Sequence, residues 1–278
     1  MGLILKFFYP TKKIVLITHG IEVWGRLSVF KKLILKFTYK VFTVSNYTKG
    51  ILCNEHRLKP HKVELFPNAI DPFFLIPTLT ASKSSSKFNL NAETKVLLTL
   101  SRLSFFERNK GYDVIIELMP ELLLIEPNLK YIIAGKYDDL EGIRLKEKIA
   151  DLKLTEKVIL TGFVKEEELT EFYSACDIFV IPSKKEGFGI VFIEALVCGL
   201  QVIGGNKDGT VDALQNGLFG ILVDPDCKES IKEGIIKALS KNTSKQDKLY
   251  LQSQVLEKFG YLKFKERLAI QINQMVNA

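Results

Sequence analysis

The chain has 278 residues, 47% of them hydrophobic and 26% charged, which suits one large or two small globular domains with ordinary cores. No apolar run approaches the roughly 20 residues that a membrane span needs. The opening Met1–Pro10 stretch lacks the small-residue cleavage site of a signal peptide and reads as a strand or the lead-in to one. The net charge of +7 is uneven: residues 1–72 hold 12 Lys/Arg and 4 Asp/Glu, a balance of +8, and the remainder sums to −1. A basic first quarter on a neutral remainder predicts a face that meets something anionic.

In chain order, short apolar runs at Ile14–Thr18, Lys40–Ser45 and Lys62–Phe66 read as strands, with a helix over Leu27–Phe37. Prolines 72 and 77 and the run Ala81–Ser86 then break every period and read as a linker. Beyond it, strands at Lys95–Leu100, Leu129–Ala134, Val158–Thr161, Ile178–Pro182, Gln201–Ile203 and Gly220–Val223 alternate with helical stretches, among them Gly111–Ile125 and residues 139–151. Residues 245–277 read as one or two helices. Nearly all-apolar strands alternating with helices predict an α/β fold with a parallel sheet covered on both faces. Ligands of such sheets bind at the carboxyl ends of the strands. Cys53, Cys176, Cys198 and Cys227 are scattered without zinc-ligand or redox spacing, so reduced buried thiols in a cytosolic protein are expected.

Five clusters fall at predicted strand ends. Ser101-Arg102-Leu103 followed by Asn109-Lys110-Gly111 places two cations at a helix start, where a diphosphate can sit. Solvated surface cations explain them equally well. Gly135-Lys136 reads as a simple turn, and Asp138-Asp139 as a helix cap rather than a metal pair. Gly162-Phe163-Val164 permits close backbone approach to a flat base, and is equally a turn. The strongest cluster is Glu186-Gly187-Phe188-Gly189-Ile190-Val191-Phe192-Ile193-Glu194. Its glycines open a helix start whose dipole favours phosphate. Glu194, set in an apolar run, needs a partner, and ribose hydroxyls are suitable donors. Last, Thr18-His19-Gly20-Ile21-Glu22 follows the first strand, where His19 is a satisfied turn histidine or a site residue.

Taken together, Glu186 and Glu194 within EGFGIVFIEAL, Arg102 and Lys110 upstream, HGIE at residues 19–22 and FPNAIDPFF at residues 66–74 resemble the family 4 glycosyltransferases. The resemblance implies a GT-B fold of two Rossmann-like domains: a partial acceptor-side domain over residues 1–72, a linker over 73–92, a nucleotide-sugar domain over 93–255 and a C-terminal helix over 256–278 packing back. It implies anomeric retention without a metal or other cofactor. Arg102 and Lys110 would neutralise the departing diphosphate, and Glu186 would contact sugar hydroxyls. The backbone of Gly187, Phe188, Gly189, Ile190 and Val191 would lie at the sugar or phosphate. Glu194 would hold the ribose, Gly162–Val164 would face the base, and His19 would sit across the cleft. The chain departs from the family at Ser101, Gln201 and Asp208-Gly209-Thr210. It also departs in how soon its HGIE segment comes, which implies a fragment or a partner that supplies the missing strands. The expected partners are a nucleotide sugar and a glycan or lipid-linked acceptor in cell-surface polysaccharide synthesis. The basic segment 26–40 reads as an ordinary surface helix or as a contact with anionic lipid at the inner face of the cytoplasmic membrane.

Two rival functions are a donor-binding subunit that is inactive without a partner and a UDP-sugar 2-epimerase. The epimerase needs acid/base side chains from both domains, for which His19 and Glu22 are the candidates. No Gly-x-Gly-x-x-Gly follows a first strand, which argues against a nicotinamide enzyme. No nucleic-acid-binding module accompanies the basic balance.

Overall fold

The computed structural model of the chain describes residues 8–79, 88, 90, 91 and 93–277. The run Ala81–Ser86 and Met1–Phe7 of the opening stretch lie outside them. The architecture is α/β and consists of two parallel sheets.

The first sheet has the order β1 (Val15–Thr18), β2 (Lys40–Thr43), β3 (Val63–Leu65). Helices α1 (Val29–Phe37) and α2 (Asn46–Asn54) alternate with these strands. Ser28 and Ser45 start them, each side-chain oxygen accepting from the N–H three residues on. Ser45 was expected at the end of a strand; its capping bond to Thr48 ends β2 at Thr43 instead. Leu35, Val41, Leu52 and Val63 pack one face of the sheet. On the other face Phe42 stacks on Phe66 at 5.1 Å. β1 pairs only with β2 among the described residues, and its Ile17 is 51% exposed although its register partner Phe42 is buried.

The second sheet runs β6-β5-β4-β7-β8-β9: β4 (Lys95–Leu100), β5 (Leu129–Ala134), β6 (Val158–Gly162), β7 (Ile178–Ile181), β8 (Gln201–Gly205) and β9 (Ile221–Val223). Its helices are α3 (Tyr112–Ile125), α4 (Asp139–Asp151), α5 (Leu169–Ser174), α6 (Ile190–Val197), α7 (Thr210–Ala213), α8 (Lys228–Ser240) and α9 (Lys245–Phe259), and α10 (Tyr261–Val276) follows. The period-2 alternation of the strands feeds two cores. Val96, Leu98, Ile132 and Phe179 meet α6 and α9 through Phe192, Leu196, Val255 and Phe259. Leu97, Tyr131, Ile133 and Val180 meet α3, α4 and α8 through Ile115, Met119, Leu145 and Ile231. Burial on both faces explains why the strand sequences are apolar throughout.

Several contacts join the two sheets. α9 ends at Gly260, and the N–H of Ile70 donates to Phe259 O at 2.9 Å. α10 lies against the first sheet, with Phe264 edge-on to Phe66 at 4.9 Å and Lys13 Nζ donating to Met275 O at 2.7 Å. Asn46 donates to both carboxylate oxygens of Asp212, from its backbone N at 2.9 Å and its Nδ2 at 2.6 Å.

Among the described residues no cysteine forms a disulfide. Cys176 and Cys198 are buried as expected, and Cys53 is half-buried. Cys227, however, is exposed because it caps α8, its Sγ accepting from Ser230 N at 3.5 Å. Among the described residues no helix is long and apolar enough to cross a membrane.

Candidate active site

Strand order reverses between β4 and β7, and the carboxyl ends of such strands form a crevice by geometry alone. A cleft of about 490 Å³ opens there. Its walls come from Leu100 at the end of β4 with Ser101 and Arg102 after it, Asn109 and Lys110 before α3, Ile181 at the end of β7, and Lys185–Val191 leading into α6. The first sheet closes it with His19, Ile21, Glu22 and Trp24, and the crossing segment adds Asn68.

Gly187 brings the two halves together. A side chain there would come within 1.8 Å of His19 O, so only a glycine lets the two loops touch. Glu22 fixes the facing loop, its Oε1 accepting from His19 N at 2.5 Å and from Gly20 N at 3.2 Å. Gly189, at φ +80, turns the chain into α6 with no side chain capping that helix. Gly189, Ile190 and Val191 line the cleft, so the positive end of the α6 dipole lies at it, an arrangement that suits an anion.

Charges ring that helix start. Lys110 Nζ donates to Glu186 Oε2 at 2.5 Å, and both side chains are largely buried. Arg102 pairs with Glu107 at 2.6 Å at the exposed rim. Beneath the loop, Asp208 is 2% exposed. It accepts from Ser183 Oγ at 2.6 Å, Glu186 N at 2.8 Å and Thr210 N at 2.9 Å. Burial pushes its carboxyl up, and these hydrogen bonds pull it back. One turn into α6, Glu194 is also raised by burial, and it accepts from Tyr173 OH at 2.9 Å.

Residues 81–254 match the family described as "Glycosyl transferases group 1". The chain belongs to that family. Mannosylfructose-phosphate synthase of Agrobacterium fabrum is 30% identical over 206 residues, which cover 72% of this chain and 44% of that protein. The GDP-mannose-dependent alpha-(1-6)-phosphatidylinositol monomannoside mannosyltransferase of Mycolicibacterium smegmatis is 29% identical, over 77% of this chain and 57% of that protein. The chain thus spans about half the length of the curated relatives it matches. Among solved structures, a glycosyltransferase from Rickettsia africae ESF-5 superimposes with a TM-score of 0.79 at 22% identity, over 99% of this chain and 74% of that one. Anabaena Alr3699/HepE, solved with UDP and glucose, gives 0.74 at 20% identity, over 98% of this chain and 74% of that one. The fold of this member of the group 1 family is GT-B.

Of the sequence-predicted positions, His19, Arg102, Lys110, Glu186, Gly187, Phe188, Gly189, Ile190 and Val191 meet on this one cleft. The ring of Phe188 turns away into the core against Phe259 at 5.4 Å, so its backbone is what faces the cleft. Gly162, Phe163, Val164 and Glu194 are not among the cleft-lining residues. Val164 is core, packed with Phe172, and Phe163 is 73% exposed. Glu194 already has a protein donor in Tyr173, so ribose is not needed to satisfy that oxygen. Asp138 caps α4, accepting from Glu141 N at 2.9 Å, as the capping interpretation predicts. Sequence reasoning assigns no role in the site to Asp208, Tyr173, Trp24, Asn109 or Lys185, although Asn109 stands in the cluster with Lys110. For Asp208 the signal is its place in Asp-Gly-Thr after a buried strand, an arrangement that often caps a loop.

Proposed function

We propose that this chain carries out retaining transfer of a sugar from a nucleoside-diphosphate sugar to a glycan or lipid-linked acceptor. The observation that carries this reading is the uncapped start of α6 beside the Lys110–Glu186 pair, facing His19 across the switch-point cleft. The diphosphate sits at the α6 amides between Lys110 and Arg102. Charge grows on it as the glycosidic bond breaks, so fixed cations and amides there lower the barrier. No metal is required for that task, because these groups supply the positive charge. Glu186 holds the sugar hydroxyls, and Glu194, past the cleft wall and held by Tyr173 through one oxygen, takes the ribose on the other. Past the cleft wall, the backbone of Gly162–Val164 flanks the base. The leaving phosphate oxygen takes the proton of the attacking acceptor hydroxyl, and the new bond forms on the face the nucleotide leaves. The setting is cell-surface polysaccharide synthesis at the cytoplasmic face of a membrane, with residues 26–40 in contact with it; the basic first quarter supports that placement.

The test is incubation of the full chain with UDP- and GDP-sugars and a glycan or lipid acceptor, with NMR assignment of the product anomer. Release of nucleoside diphosphate with a retained anomer supports the reading. An inverted product refutes it. A second reading is a donor-binding subunit that needs a partner, favoured by the half-exposed Ile17 on β1, which among the described residues pairs on one side only. Nucleotide binding without transfer, restored to transfer by a second chain, selects it.

A further inference from the structure

α1 and α2 both end at the amino edge of the first sheet, away from the carboxyl edge that carries His19. There a second cleft of about 350 Å³ is lined by Lys32, Lys36, His56, Arg57, Lys59 and Lys62, completed by Leu35 and Leu58. No carboxylate lines it. Among the described residues, none of its Lys or Arg side chains forms a salt bridge. Cations at helix carboxyl ends are ordinary, and Lys62 Nζ does donate to Lys36 O at 2.8 Å. That accounts for Lys36 and Lys62. It leaves unexplained why Lys32, Arg57 and Lys59 gather at the same opening. Burial holds the Lys62 amine below its ordinary value, as expected of a cation desolvated without a counter-charge.

The helix beside this pocket is inside out. Helices of a folded domain turn their apolar stripe to the core, yet Val29, Phe30, Leu33 and Phe37 of α1 are 85, 64, 40 and 49% exposed. At about 100° per residue they share one face, opposite the buried Leu35. Lys32 and Lys36 border that face on the pocket side. A free phosphate would use the cations and leave the apolar face unexplained, whereas an anionic lipid surface uses both.

We propose that the basic pocket is a phosphate-binding site, occupied by the headgroup phosphate of an anionic lipid while the outer face of α1 lies among the headgroups. The proposal rests on the membrane contact of residues 26–40 suggested above and deepens it to a site. It is independent of the donor cleft.

The experiment is flotation of the full chain with phosphatidylcholine vesicles, with and without phosphatidic acid. Wild type is compared with Arg57→Gln/Lys59→Gln and with Phe30→Ser/Leu33→Ser. Calorimetric titration with UDP and GDP runs beside it. Wild type should float only with phosphatidic acid. The charge variant should lose on the order of tenfold in vesicle partition, the serine variant should also lose partition, and nucleotide binding should stay unchanged in both. Wild type that ignores phosphatidic acid, or a charge variant that floats as wild type does, overturns the proposal. Inorganic phosphate that binds wild type but not the charge variant, with vesicles ignored, assigns the pocket to free phosphate and overturns the lipid. Flotation without nucleotide binding would sink the donor reading and leave this one standing.

Discussion

The carboxylate of Asp208 holds the backbone of Glu186 across 22 residues of chain, Oδ2 accepting the Glu186 N–H at 2.8 Å. Ser183 Oγ shares that oxygen, and the Thr210 N–H takes the other. One buried acid thus fixes the loop that carries Glu186, Gly187 and Gly189. Asp208→Asn puts an amide donor against one of these donors. It should cost about 1–3 kcal/mol of stability and reduce nucleotide affinity, read by thermal unfolding and calorimetry. An unchanged Tm would remove Asp208 from this role.

Lys110 and Glu186 form the most enclosed ion pair of the cleft, with side chains 23% and 21% exposed. Lys110→Ala removes the cation beside the diphosphate position and leaves Glu186 unpaired. Turnover should fall on the order of 10²–10³-fold, as for other groups aimed at developing charge. Arg102→Ala, at the exposed rim, should fall less. Equal losses in the two variants would contradict the assignment of Lys110 as the inner cation.

Gly187 touches the facing loop so closely that a methyl group would come within 1.8 Å of His19 O. Gly187→Ala should force the two halves apart, at roughly 1–3 kcal/mol as for other overpacked sites. Tm and transfer should fall together. Wild-type transfer by this variant would mean that the halves need not touch.

Glu194 titrates above the usual carboxylate range because it is buried, and Asp208 and Asp212 shift the same way. An acid whose folded pKa is raised binds its proton more tightly in the folded state. Stability therefore falls as pH rises from the unfolded value, near 4.5 for Glu194, through the folded value. Glu194→Gln removes this term. It should raise Tm at neutral pH, about 2–4 °C for each kcal/mol in a chain of this size. It should flatten, without abolishing, the decline of stability with pH, and nucleotide binding should weaken. A Tm that falls at neutral pH would show that the carboxylate is needed for folding.

The parallel sheets were legible because strands such as Ile178–Ile181 are buried on both faces and so are apolar throughout. The loop from Glu186 to Val191 was legible because glycines and a carboxylate at a helix start have few structural uses. What stayed hidden depends on partners distant in sequence. Asp208 bonds to the backbone of Glu186, and Tyr173 reaches Glu194 from 21 residues away. The exposed stripe of α1 was readable as amphipathic, but not which side faced out. Strand ends were misjudged where a polar residue such as Ser45 serves the next helix instead.

The most direct test of the central claim is calorimetric titration of the full chain with UDP and GDP, for wild type, Lys110→Ala and Glu194→Ala. Saturable one-to-one binding of one nucleotide is expected, with affinity sharply reduced in both variants. A folded wild-type chain that binds neither nucleotide, or variants that bind as wild type does, would contradict a donor site in this cleft.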